Sequence, residues 1–310
     1  MAQVSMQQVK ELRDRTQAGL NDCRSALMES EGDMDKAVDI ILKKGLAKSA
    51  KRAGAVATEG EIASRVAADG KSGVMVEVNI QTDFAARNED FRAFVQKVLE
   101  AADKAKDGAE LSAEPFPGGE GSIEDNRKAL VGRLGENITV RRWQRLSVTG
   151  SGRVHSYVHM GGKIGVLLAV KTGTDAAAGS DALVKFADDT AMQVAAMAPP
   201  FLDKSEVPED AKKHQSEIFD AQLAEEGKPE NVRPKIIEGK LNKWMKEVCL
   251  IEQGSVLETD KTVDQVRAAL AKELGTDVSI EKFVRFQLGE GIEKPQGEDF
   301  AAEVAKMTQN

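Results

Sequence analysis

Gly70-Lys71-Ser72-Gly73-Val74, followed by Val78, Thr82-Asp83-Phe84-Ala85-Ala86 and Phe94, is answered 92 residues later. The second passage is Gly162-Lys163-Ile164-Gly165-Val166, then Val170, Thr174-Asp175-Ala176-Ala177-Ala178 and Phe186. The match needs no gap, so the chain carries a duplicated unit and predicts two similar subdomains. Within the first unit Val74, Val76, Val78 and Ile80 alternate with Met75, Glu77 and Asn79, the pattern of a strand buried on one face. Ala68-Asp69-Gly70-Lys71 reads as the hairpin turn before it. After Thr82-Asp83-Phe84 a helix is expected, with Asn88 as its cap and Phe91, Phe94, Val95, Val98 and Leu99 as its apolar stripe. The copies part at one position, where Phe84 is answered by Ala176.

Working outward, residues up to about Gly54 read as three short helices. Ser5 with Gln8 makes a capping box, Leu20, Cys23 and Leu27 mark a second helix, and Asp33 caps a third that should end at Lys43-Lys44-Gly45. Strands are expected at Ile138–Arg142, Val154–His159, Ile164–Val170 and Val278–Leu288, and helices up to Leu134 and over Asp181–Met197. Residues 208–248 suggest an antiparallel hairpin turned at Gly227-Lys228-Pro229. Its seam would join Ala211, His214, Ile218 and Ala221 to Ile237, Leu241, Trp244 and Val248. A short tail helix would close the chain. The fold class is therefore α+β: an N-terminal three-helix domain (1–54), core subdomains at 55–142 and at 143–201 with 249–288, an inserted hairpin (202–248) and a C-terminal module (289–310).

At 310 residues with 30% charged and 41% hydrophobic content, the composition is that of a soluble globular protein of several packed units. No apolar run approaches a membrane span, and the polar Met1–Arg15 argues against a secretory signal. Cys23 and Cys249 share no metal-type spacing and suit a reducing cytoplasm. A net charge of −8 opposes general nucleic-acid binding. The basic run from Lys43 to Arg52 reads as a helix C-terminus with a solvated linker.

Chemistry finds little foothold. Gly70-Lys71-Ser72 imitates a phosphate loop, but Arg65 stands where the first glycine belongs, and the segment joins strands rather than opening a helix. His155 and His159 share a strand face without a third ligand. Asp83 with His159 lacks a nucleophile or a paired carboxylate, which leaves a hydrolase reading without its parts. Thr and Asp between a strand and a helix serve loose backbone N–H groups, and this covers Thr174-Asp175 as well. It does not cover Phe84. An aromatic dropped from the other copy reads either as core or as an anchor for a partner protein.

Read together, these motifs resemble the translation elongation factor Ts family across essentially the whole chain. Val9-Lys10-Glu11-Leu12-Arg13 with Arg15-Thr16, Gly19, Asp22-Cys23 and Ala26-Leu27 is similar to the family's N-terminal signature, and Thr82-Asp83-Phe84 to its central motif. Further matches are Gly135-Glu136-Asn137-Ile138, Tyr157-x-His159-x-Gly161 with Ile164-Gly165-Val166, and Arg285-Phe286-x-x-Gly289-Glu290-Gly291-Ile292. The resemblance implies a ubiquitin-associated (UBA)-like N-terminal domain, a protruding coiled coil and a C-terminal helical module. It also implies a cytoplasmic, non-enzymatic guanine-nucleotide exchange factor without cofactor or metal, acting on the GTPase elongation factor Tu. Asp83 and Phe84, held with Thr82, would press on the partner near its magnesium and phosphate site. Arg13 and Leu20 would lie on the N-terminal contact surface and His159 on that of the second subdomain. Direct nucleotide, nucleic-acid and membrane binding are not implied, and the coiled coil offers a route to self-association. A non-exchange adaptor is the rival class. Two positions depart from the family pattern: Gln17 in the first turn, and Ala85 where the family usually has Val.

Overall fold

The computed structural model describes residues 4–16 and 18–293. The expectations attached to Gln17 and to a tail helix beyond residue 293 lie outside the described residues. Helices α1 (Met6–Thr16), α2 (Leu20–Glu29) and α3 (Met34–Arg52) close around Val9, Leu12, Cys23, Leu27, Ala37 and Ile41. Ser5 and Gln8 exchange the two bonds of a capping box. The Asp33 carboxylate accepts from the Lys36 N–H at 3.0 Å to start α3. That helix does not stop at Gly45. It runs two further turns, because Gly45 is a contact point rather than a cap: it lies against Gly132 of another helix.

The first subdomain comprises β1 (Glu59–Val66), β2 (Ser72–Ile80), the four-residue α4 (Asp83–Ala86), α5 (Glu89–Lys104), α6 (Ile123–Leu134) and β3 (Ile138–Ser147). The second comprises β4 (Gly152–His159), β5 (Ile164–Thr172), α7 (Asp175–Ala178), α8 (Asp181–Met197), α11 (Val263–Leu274) and β6 (Val278–Gln287). Each sheet is antiparallel, in the orders β1-β2-β3 and β4-β5-β6. β3 keeps its pairing with β2 as far as Ser147, past the expected end at Arg142.

The duplication extends further than its gapless half. A shift of 92 carries β2 onto β5, α4 onto α7 and the start of α5 onto that of α8. A shift of 140 then carries α6 onto α11 and β3 onto β6. Both members of the helix pair begin with capping boxes, at Ser122 and Thr262, and end on left-handed glycines, Gly135 and Gly275. Between the two shifts, 140 less 92, the second copy gains 48 residues. These hold α9 (Glu209–Glu225) and α10 (Arg233–Val248).

β2 is buried on both faces, not one. Val74, Val76, Val78 and Ile80 meet α5 and α6, while Met75 joins Ile62, Val154, Leu167 and Phe286 between the two sheets. The sheets therefore pack face to face, with helices outside. This explains the repeated glycines. A Cβ on Gly73 would meet Val154 at 2.9 Å, and one on Gly165 would meet Ile62 and Met75 at 2.5 Å. The turns interlock reciprocally: the Val154 N–H donates to the Gly70 carbonyl, and the Ile62 N–H to that of Gly162.

Burying the polar face of β2 places Glu77 wholly inside. Its carboxylate accepts from Arg141 Nη1 at 2.9 Å, Arg142 Nε at 2.6 Å and the Gly289 N–H at 2.8 Å. Burial alone would raise its pKa, but these donors together outweigh it and hold the group below the ordinary glutamate range. Cys23 and Cys249 are free and buried, and desolvation raises both thiol pKa values.

In the inserted hairpin, Ile237, Leu241, Trp244 and Val248 of α10 are half-buried, none of them fully. The α9 seam is displaced. His214, Ile218 and Ala221 face solvent, while Phe219 is half-buried and Leu223 buried. The larger pair at i, i+4 takes the inside, with Lys240 lying 5.4 Å above the Phe219 ring.

Candidate partner-binding site

β2 ends on buried Ile80 and delivers the next four residues to one rim of the sandwich. Gln81 accepts from the Asn137 N–H at 2.7 Å. Thr82 caps α4, its hydroxyl accepting from the Ala85 N–H at 3.2 Å. Its own N–H and hydroxyl donate to the two oxygens of Glu136, at 3.0 and 2.8 Å. Asp83 makes no cap. Its carboxylate pairs with Arg87, one helical turn on, at 3.0 Å. Ala85 and Ala86 rest on the first core, so the small residue at 85 bears on packing beneath the turn.

Phe84 points the other way, with 82% of its surface exposed, which excludes the core reading. An aromatic ring left in water forgoes about 1.5–3 kcal/mol of burial. In the second copy the same turn forms without a ring: Thr174 accepts from the Ala177 N–H at 3.2 Å. Asp175 reaches Lys71 and Ser151, whose hydrogen bonds lower its pKa. Lys71 also donates to the carbonyls of Gly150 and Gly152 and is thereby occupied in holding the hairpin.

His159 is the last residue of β4, stacked on Tyr157, with the phenol oxygen 2.8 Å from its Nδ1. It leads into a turn where Met160 adopts a left-handed conformation (φ 50°) and is 71% exposed. Lys163 closes that turn and pairs with Glu59 at 2.6 Å, and Glu59 is the register partner of Ile80. His159 and Phe84 therefore belong to the same end of the sandwich. His155 lies deeper on the strand and bonds Asp188. Arg13 and Leu20 stand apart from this rim, around a shallow hollow on the N-terminal bundle that they share with Met6 and Lys10. Among the described residues no cluster of three or more His, Cys, Asp or Glu side chains could hold a metal ion, and no helix is long and apolar enough to cross a membrane.

Sequence reasoning named Glu136 only within a family motif and gave it no role, and it missed Met160 and the burial of Glu77. The signal for Glu136 was available at the second shift, where Thr276 stands in its place.

The architecture defines a class: a duplicated α+β sandwich with a helical bundle in front and a helical hairpin inserted in the second copy. Residues 81–290 match the family described as Elongation factor TS. Elongation factor Ts of Clostridium botulinum (strain Alaska E43) is 45% identical over 306 residues, covering 98% of this chain and 99% of the relative. That of a Nitratiruptor species is 46% identical over 304 residues, with 97% and 98% covered. That of Clostridium tetani is 44% identical over 309 residues, with 99% and 100% covered. The chain belongs to the elongation factor Ts family.

Proposed function

We propose that the chain is a guanine-nucleotide exchange factor of translation elongation, acting in the cytoplasm on GDP-bound elongation factor Tu. It changes no covalent bond and is not an enzyme. It binds the nucleotide-free partner more tightly than the loaded one, and reciprocity requires that the bound factor weaken nucleotide affinity by the same ratio. Phe84 wedges into the GTPase domain while Thr82 and Asp83 hold its turn. The displaced backbone and magnesium no longer neutralise the GDP phosphates. GTP then enters and expels the factor. His159 extends the contact at the same rim, and Arg13 with Leu20 supplies a second contact from the N-terminal bundle.

Family membership supports the reading, and one observation carries it: a large apolar ring stands in solvent on a capped turn that the fold builds equally well without it. The test is release of fluorescent GDP from elongation factor Tu. Phe84→Ala, which copies the second subdomain, should leave folding intact and slow stimulated release roughly 30-fold, as truncation of an interface anchor worth about 2 kcal/mol would. Unchanged release would remove the wedge.

A further inference from the structure

We propose that Glu136 is a positioning residue for the Phe84 turn, fixing the ring in the attitude in which it meets the partner; this rests on the exchange reading above. A four-residue helix gains almost nothing from cooperativity, and an exposed ring has no packing to orient it. Any disorder in the turn would have to be removed on binding, at a cost in affinity. Glu136 removes it beforehand, because its two oxygens take both donors of Thr82, the residue that caps α4. The carboxylate is itself held between anchored neighbours. Gly135 sits in the left-handed region with its N–H on the Val131 carbonyl. Asn137 donates its N–H to Gln81 and its side-chain amide to the Ala55 carbonyl.

The duplication supplies a control inside the same chain. A shift of 140 puts Thr276 where Glu136 stands, and Thr276 lies against Gly173 instead. The Thr174 cap nonetheless forms at the same 3.2 Å as the Thr82 cap. The clamp is therefore unnecessary for the cap itself, in a turn tied instead by Thr172 Oγ1 donating to the Thr174 carbonyl and Lys71 to Asp175. It is present only in the copy that displays an aromatic ring, and absent where the ring is Ala176.

The experiment compares wild type, Glu136→Thr, Phe84→Ala and the double variant for GDP release from elongation factor Tu at one factor concentration below saturation, where affinity is read, alongside urea unfolding midpoints. Glu136→Thr should slow release about tenfold, the scale of one lost charge-assisted hydrogen bond, without moving the midpoint. The double variant should match Phe84→Ala alone, since a residue that acts only by aiming the ring has nothing left to aim. Wild-type release by Glu136→Thr, a lowered midpoint, or slowing that multiplies with that of Phe84→Ala would each overturn the proposal. Wild-type release by Phe84→Ala itself would remove the exchange reading, a failure visible separately in the same measurements.

Discussion

Phe84 and Glu77 sit on neighbouring stretches and invert the usual rule, the apolar ring outside and the carboxylate inside. Phe84 is displayed because Ala85 and Ala86 take the inward positions of a turn too short to bury a third residue. Glu77 is enclosed because β2 is covered by helices on one side and by the second sheet on the other. Its donors are Asn79 on β2 itself, Arg141 and Arg142 on β3, and the Gly289 N–H after β6, so one carboxylate ties both subdomains together. Removing its charge while keeping its shape, as in Glu77→Gln, should cost about 2 kcal/mol at neutral pH, the scale of hydrogen bonds to charged groups. The sign with pH follows from the lowered folded-state pKa. Its contribution is complete above the unfolded value and is lost as pH falls through the folded one. Urea titrations of both proteins should thus converge on acidification below the ordinary glutamate range. A gap that stays constant with pH would deny Glu77 this part.

Elements were legible where a local rule decided them. Asp33 and Asn88 cap their helices as read, since capping needs only the residue and its near neighbours. The duplicated strand and turn were legible because no insertion separates them. The second half of the duplication was hidden by the hairpin, which breaks the constant offset between α8 and α11. Burial of β2 on both faces was hidden too, because alternation reports one covered face and cannot see a second sheet. The α9 seam was misplaced for a similar reason: spacing alone does not weigh Phe219 against Ile218 or Leu223 against Ala221. The displaced seam leaves Ile218 exposed on the hairpin. A hairpin-mediated dimer predicts a sedimentation coefficient that rises with protein concentration and ceases to do so in Ile218→Glu. A coefficient independent of concentration in the parent protein would dismiss self-association by this route.

Across the whole molecule, the placement of the N-terminal bundle relative to the core depends on one crossing. Helix α3 continues past Gly45 and passes over α6 where Gly132 faces it. A Cβ on Gly132 would stand 2.6 Å from the Gly45 Cα and 3.1 Å from its carbonyl atoms, all backbone that has no rotamer to change. A Cβ on Gly45 meets the Gly132 Cα at 3.8 Å, an ordinary contact. The same substitution therefore has opposite signs at the two positions. Replacing a helical glycine by alanine gains about 1 kcal/mol in propensity, which Gly45→Ala should largely keep. In Gly132→Ala the overpacking costs about 1–3 kcal/mol and falls on the contact between bundle and core rather than inside either. The core should keep its urea midpoint while the bundle separates. That separation would appear as a larger radius of gyration in small-angle scattering and as faster tryptic cleavage at Lys51 and Arg52. Arg13 and Leu20 ride on the bundle and Phe84 on the core, so Gly132→Ala should weaken partner affinity while leaving the release rate at saturating factor unchanged. Equal scattering profiles for Gly132→Ala and the parent protein would show that this crossing does not hold the two proposed contact surfaces in register.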